Sequence, residues 1–116
     1  MKTKPLILAA LLLVAASLST GFFPSRAAQS ANVDVSIDNY AFKAPSITVP
    51  AGTTVVWKNL DDDPHTVTAI DGSFDSKGLA QGDTFSHQFL KPGKYQYYCK
   101  VHPMMKGTVI VTGSSS

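Results

Sequence analysis

Past residue 30 the chain is built from short alternating runs. Val33-Asp34-Val35-Ser36-Ile37 puts apolar side chains on one parity and polar ones on the other, the period of a half-buried strand. Ser46 to Val49 reads as a short extended run that ends at Pro50-Ala51-Gly52, a turn signal. Thr53 to Lys58 is β-branched and aromatic, His65 to Ile70 alternates again, and Thr84 to Phe89 places Phe85 and Phe89 on one parity. Pro92-Gly93 marks a turn, Tyr95 to Cys99 forms the next strand, and Gly107 to Val111 the last. No helical period of useful length and no internal repeat interrupts this pattern. Short strands separated by Pro/Gly turns predict an all-β fold, a sandwich or a barrel, with Phe42, Trp57, Phe74, Phe85, Phe89 and Tyr97 as core. Gly113 to Ser116 reads as a frayed tail.

The first segment has a different pattern. Lys2 and Lys4 precede a nearly unbroken run of Leu, Ile, Val and Ala from Leu6 to Leu18, and Ser25-Arg26-Ala27 offers a cleavage site. This is the layout of a secretory signal peptide; the apolar run falls short of the roughly 20 residues that a spanning helix needs. The expected organisation is a leader over residues 1–27 and a single domain over 28–116, without membrane insertion after cleavage. The charge then changes sign. The whole chain carries +2, but Lys2, Lys4 and Arg26 belong to the leader, so the mature domain has seven basic and eight acidic residues, a net −1. No basic stripe remains to suggest a nucleic-acid partner.

One cysteine in an exported protein cannot form an internal disulfide. Cys99 lies in Tyr97-Tyr98-Cys99-Lys100-Val101-His102-Pro103-Met104-Met105, where a histidine follows at three residues and a methionine at six. A second histidine, His65, stands upstream in Asp63-Pro64-His65-Thr66-Val67. Thiolate and thioether favour Cu(I), imidazole accepts both valences, and two His with one Cys and a weak Met define the blue-copper electron-transfer site. Structural zinc prefers four strong ligands, which a methionine is not, and a binuclear copper centre needs a second cysteine. A Greek-key sandwich would bring His65, on a neighbouring strand, to face the loop after Cys99. Nothing in this set leaves an open position for a substrate, so no enzymatic activity is expected.

The pattern Asn59…Pro64-His65-Thr66-Val67, then Tyr98-Cys99-x-x-His102-Pro103-x-Met105-x-Gly107, resembles the plastocyanin-like cupredoxins. The short spacing from His102 to Met105 is closest to the amicyanins. The resemblance spans nearly all of the mature chain. It implies a Greek-key β-sandwich holding one type 1 copper through His65, Cys99, His102 and Met105, and it selects Met105 over Met104 as the axial ligand. It also implies that Asn59 braces the ligand loops and that the amide of Thr66 bonds the cysteine sulfur, contacts of the kind that orient ligands and tune potential. The implied function is soluble single-electron transfer in the periplasm, as a monomer, between redox proteins. A donor dehydrogenase and a c-type cytochrome acceptor are the family's partners.

Pro103 and Met104 are expected to form a small apolar docking patch beside His102, since electron-transfer encounters are small, below about 1,200 Å². His87, mid-strand and away from the motif, reads as structural, and Asp61-Asp62-Asp63 as a solvated loop. The competing function is a periplasmic copper carrier, which would need an exchangeable site with spare donors.

Overall fold

The computed structural model describes residues 31–113, with residues 2, 3 and 21; the rest of the expected leader lies outside the described residues. Among the described residues every regular element is a strand. Eight occur: β1 (Asn32–Asp38), β2 (Ala41–Phe42), β3 (Ser46–Pro50), β4 (Thr54–Asn59), β5 (Thr68–Ala69), β6 (Thr84–Gln88), β7 (Gly93–Tyr98) and β8 (Lys106–Thr112). They form two four-stranded sheets, ordered β2-β1-β4-β6 and β3-β8-β7-β5. β1 runs parallel to β4 and β3 parallel to β8; the remaining pairs are antiparallel. Between β2 and β7 each successive strand changes sheet, as in the expected Greek-key sandwich.

Alternation explains which faces meet. In β8, Gly107, Val109 and Val111 are buried while Lys106, Ile110 and Thr112 are exposed. In β4, Val55, Trp57 and Asn59 are buried. The two inner faces close on an aromatic centre around Trp57, whose ring lies 5.3 Å from Tyr97, 5.9 Å from Phe85 and 6.0 Å from Phe74. Burying side chains of this size stabilises by about 1.5–3 kcal/mol each. The polar tips are satisfied within the core, with Trp57 Nε1 donating to the Tyr97 hydroxyl at 3.2 Å. Gly107 is a glycine for a steric reason: a Cβ there would sit 2.2 Å from the Tyr97 ring.

The expected strands match β1, β3, β4, β6, β7 and β8. His65 to Ile70 differs. Residues 65–69 are all buried, and only Thr68–Ala69 forms a strand. Thr68–Ala69 is the edge strand of the second sheet, and residues of both parities in the segment are buried, so its alternation does not separate an inner from an outer face. The two-residue β2 was too short to show a period.

Register decides what lies at each end of the sandwich. Ile37 pairs with Asn59, so the β1–β2 turn and the loop after β4 share one end. Thr68 pairs with Tyr98, which brings the β7–β8 loop to the same end.

Candidate metal centre

Each arm of the site is fixed before its side chains meet. His65 is held by a two-way backbone bridge to Leu79, with His65 N donating to Leu79 O at 3.1 Å and Leu79 N to His65 O at 2.8 Å. The opposite arm is a tight loop. Cys99 N donates to Met105 O at 3.1 Å, and Met105 N donates to His102 O at 2.8 Å, so residues 99, 102 and 105 are tied together by main chain. The two arms are joined by Lys100 N, which donates to Thr66 Oγ1 at 2.8 Å.

Asn59 lies behind them, fully buried at the end of β4. Its Nδ2 donates to the carbonyls of Asp63 and Leu79, both at 2.9 Å, and its Oδ1 accepts from Asp61 N at 3.0 Å. An amide so used ties the 60–64 loop to the strand position opposite His65. Losing it would strand buried partners, each at a cost of about 1–3 kcal/mol.

Three donor atoms converge. Cys99 Sγ lies 3.7 Å from His65 Nδ1 and 3.9 Å from His102 Nδ1, and the two nitrogens are 3.2 Å apart. A triangle with these sides has a circumradius of about 2.1 Å, the length of a first-row metal bond to imidazole nitrogen (about 2.0–2.1 Å for zinc) and near that to thiolate (about 2.3 Å). The geometry therefore fits one ion bound by two imidazoles and a sulfur. Cys99 and His65 are both 0% exposed, whereas His102 is partly exposed. Thr66 N donates to Cys99 Sγ at 3.4 Å, a bond that favours sulfur with thiolate character. Met105, 4% exposed, sits at the base of the loop, while its neighbour Met104 is 89% exposed. Pro103 is exposed as well.

The surroundings of His65 include groups that sequence reading did not single out. Asp61 Oδ2 lies 2.7 Å from His65 Nε2. A carboxylate only accepts, so it takes the proton-bearing nitrogen and leaves the Nδ1 lone pair facing the other donors. The reading of Asp61-Asp62-Asp63 as a wholly solvated loop is thus corrected: Asp61 turns inward. It also accepts from Asn39 N at 2.7 Å and Tyr40 N at 2.9 Å. Burial works to raise the Asp61 pKa, but the bonds from Tyr40, His65 and Asn39 together outweigh it and hold the carboxyl below its ordinary value. The aromatic ring of Tyr40 meets both imidazoles edge-on, and its hydroxyl donates to Asp63. Asp61 and Tyr40 left one trace in the sequence, the turn-forming Asp38-Asn39 between apolar runs.

On the far side, Asp75 accepts from Lys100 Nζ at 2.6 Å and from Thr68 Oγ1 at 3.3 Å. The Lys100 ammonium holds the Asp75 carboxyl down at about 2. His87 stands apart, its ring tilted against Phe74 at 4.7 Å and edge-on to Phe89 at 4.8 Å; burial lowers its pKa.

Comparison with known proteins agrees with this geometry. The family description "Cupredoxin-like domain" matches residues 6–111. The chain is 33% identical over 89 residues to amicyanin-alpha from Methylorubrum extorquens, covering 72% of this chain and 75% of that protein. It is 30% identical over 106 residues to the chloroplastic plastocyanin of Tetradesmus obliquus, covering 78% and 73%. A purple cupredoxin from Nitrosopumilus maritimus superposes with a TM-score of 0.65 at 33% identity, over 69% of this chain and 99% of that structure. A match across most of the chain, on a two-sheet sandwich with Cys and His donors gathered at one end, places this protein in the cupredoxin-like family.

Proposed function

We propose that this protein is an exported one-electron carrier of the periplasm that holds a single type 1 copper ion. His65, Cys99 and His102 would hold the ion, with Met105 as a fourth, weaker ligand. The observation that carries this reading is the convergence of Cys99 Sγ and two Nδ1 atoms around a point at metal-bond distance from all three. When bound, copper supplies a couple between Cu(I) and Cu(II), for which a soft, mixed N/S donor set is a compromise.

The residues of the chain supply the rest. Asn59 and the Leu79 bridge fix the His65 arm, and the main-chain bonds among Cys99, His102 and Met105 fix the loop. Donors held this firmly need little movement between valence states. Asp61 sets the His65 tautomer, and the Thr66 amide shares charge with the sulfur. His102 is the one donor of the three that reaches the surface, so a partner meets the site there. Exposed Val101, Pro103 and Met104 surround that edge and form an apolar docking patch. The partners are redox proteins, with a dehydrogenase as donor and a c-type cytochrome as acceptor. Residues 1–27 act as the export signal and 28–116 as the working domain.

A copper carrier would need an open, exchangeable site. Full burial of Cys99 and His65, with the spare donor Met104 out in solvent, favours retention. The test is a pair of measurements on copper-loaded protein. One ion per chain should raise the melting temperature, because a ligand bound only by the native state stabilises by mass action, and voltammetry should show a reversible one-electron wave. Equal melting with and without copper, or rapid handover of the ion to a mild chelator with no reversible wave, would overturn the carrier of electrons.

A further inference from the structure

Asn39 and Tyr40 make the two-residue turn between β1 and β2, and both adopt left-handed backbone, with φ of 52° and 58°. Such a turn favours Asn followed by Gly. Asn39 suits its place, but a bulky residue at positive φ is an outlier that persists only where the surroundings over-determine it. A turn with no other task would be better served by glycine.

The surroundings here are the metal site. The Tyr40 ring lies 5.5 Å from the His65 ring at 89° and 5.1 Å from the His102 ring at 82°. The two imidazoles are themselves tilted at 59° with centroids 4.9 Å apart, and one aromatic ring stands nearly perpendicular to both. The hydroxyl is tied to Asp63. The Tyr40 amide donates to Asp61 Oδ2 at 2.9 Å, and this same oxygen lies 2.7 Å from His65 Nε2. One residue thus touches both imidazoles with its side chain and holds, through its backbone, the carboxylate that orients one of them. At 48% exposure, its outer edge lies between the site and water.

We propose that Tyr40 is a positioning residue, a cap that wedges the His65 and His102 imidazoles into their ligating orientation and screens the ion they hold from solvent. The proposal rests on the copper reading above. The ring is the working part. The hydroxyl anchors it to Asp63, and the backbone strain is tolerated because the turn must carry a ring at this point.

Tyr40→Gly and Tyr40→Phe in the whole protein separate this role from a structural one. Glycine relieves the left-handed backbone, so metal-free Tyr40→Gly should melt no lower than the parent. Copper should nevertheless leave it for an excess of chelator about tenfold faster, the scale expected for loss of two edge-on aromatic contacts. In the metal-free protein the His102 ring signals should broaden by microsecond–millisecond exchange in relaxation-dispersion NMR. Tyr40→Phe keeps the ring and should stay close to the parent in both measurements. Should the glycine variant fail to fold, Tyr40→Asn, which also tolerates left-handed backbone, carries the same expectations. Parental release rates and parental ring signals in Tyr40→Gly would reduce Tyr40 to a turn residue. A Phe variant that behaves like Gly would equally overturn the cap, by assigning the effect to the hydroxyl. If the parent protein does not retain copper, the electron-carrier reading fails by itself, and the ring signals of the metal-free variants still decide the role of Tyr40.

Discussion

His65 and His102 present the same atom, Nδ1, to the same point, yet the chain holds them in opposite ways. His65 is fully buried, bridged through its backbone to Leu79 and fixed at its far nitrogen by Asp61. His102 is partly exposed on a loop whose Val101, Pro103 and Met104 face solvent. Among the described residues no protein group hydrogen-bonds its Nε2. One small fold thereby meets two demands. A metal site for electron transfer must be rigid, which a buried, doubly fixed imidazole provides. It must also be reachable, which an imidazole at the rim provides.

Deleting each ring in turn separates the two environments most strongly. In His102→Gly the vacated space opens on solvent, so added imidazole should enter and restore the visible colour of copper-loaded protein. In His65→Gly the space is enclosed by the Asn59 and Leu79 contacts, and the same imidazole concentration should restore nothing. Equal rescue of both variants, read by visible absorption, would mean the two histidines are equally accessible.

The His102 loop is exposed at its tip but not at its base, and Gly107 tests the base. An added Cβ would fall 2.2 Å from the buried Tyr97 ring, which in turn packs on Trp57. Because neither ring has room to yield, Gly107→Ala should cost about 3 kcal/mol, the upper range for overpacking, measured by denaturant unfolding of the metal-free protein. A loss within experimental error would show that the base of the loop can move.

The two methionines of the loop repeat the contrast on a smaller scale. Met105→Leu should keep the coloured site and raise the reduction potential, because removing a weak electron-donating thioether disfavours Cu(II). A tenfold change in relative affinity for the two valences corresponds to about 59 mV, and a shift on that order is expected. Met104→Leu, at a fully solvated position, should leave the potential unchanged. A shift from Met104 and none from Met105 would exchange their roles.

The smallest effect concerns the tie behind Cys99. The Asp75 carboxyl is held at about 2, against an ordinary 3.8, first by the bond from Lys100 and then by Lys77 N. A depressed carboxyl stabilises the fold at pH above its unfolded value, and that contribution is lost as pH falls through about 2. Lys100 is half exposed, so solvent screens the pair and its contribution is small. Asp75→Asn should therefore lose a small amount of stability at neutral pH, and that loss should shrink as pH falls through about 2, followed by chemical denaturation across pH. A pH-independent loss would point to packing in place of charge.

How much of this was legible beforehand depended on distance along the chain. β1, β4 and β8 announced themselves because each buries one face, and alternation is the direct record of that. The donors Cys99 and His102 were legible because a metal loop keeps its ligands close in sequence. His65 needed the motif around it, since long-range contacts, the pairing of Thr68 with Tyr98 and the bonds of Thr66 to Cys99 and Lys100, bring its segment to the loop. Asp61 read as one of three solvated acids, because nothing local says that one of them turns inward to an imidazole. Tyr40 left no more than the turn-forming Asp38-Asn39 ahead of it: its contacts with His65 and His102 span two sheets, and its role rests on a turn conformation that its residue type disfavours. The buried run from His65 to Ala69 misled in the other direction, offering a strand period where burial of both parities erases its meaning.

On the proposed function, Cys99 and the two histidines hold one copper ion as a thiolate-bound redox centre. The visible spectrum of the protein loaded with one equivalent of Cu(II) tests it most directly, with Cys99→Ser measured beside it. The parent protein should show an intense band in the visible, from charge transfer between thiolate and copper, that disappears on reduction and is absent from a folded Cys99→Ser protein. A parent protein that binds copper with only the faint absorption of nitrogen and oxygen ligation, or a Cys99→Ser protein that keeps the intense band, would contradict it.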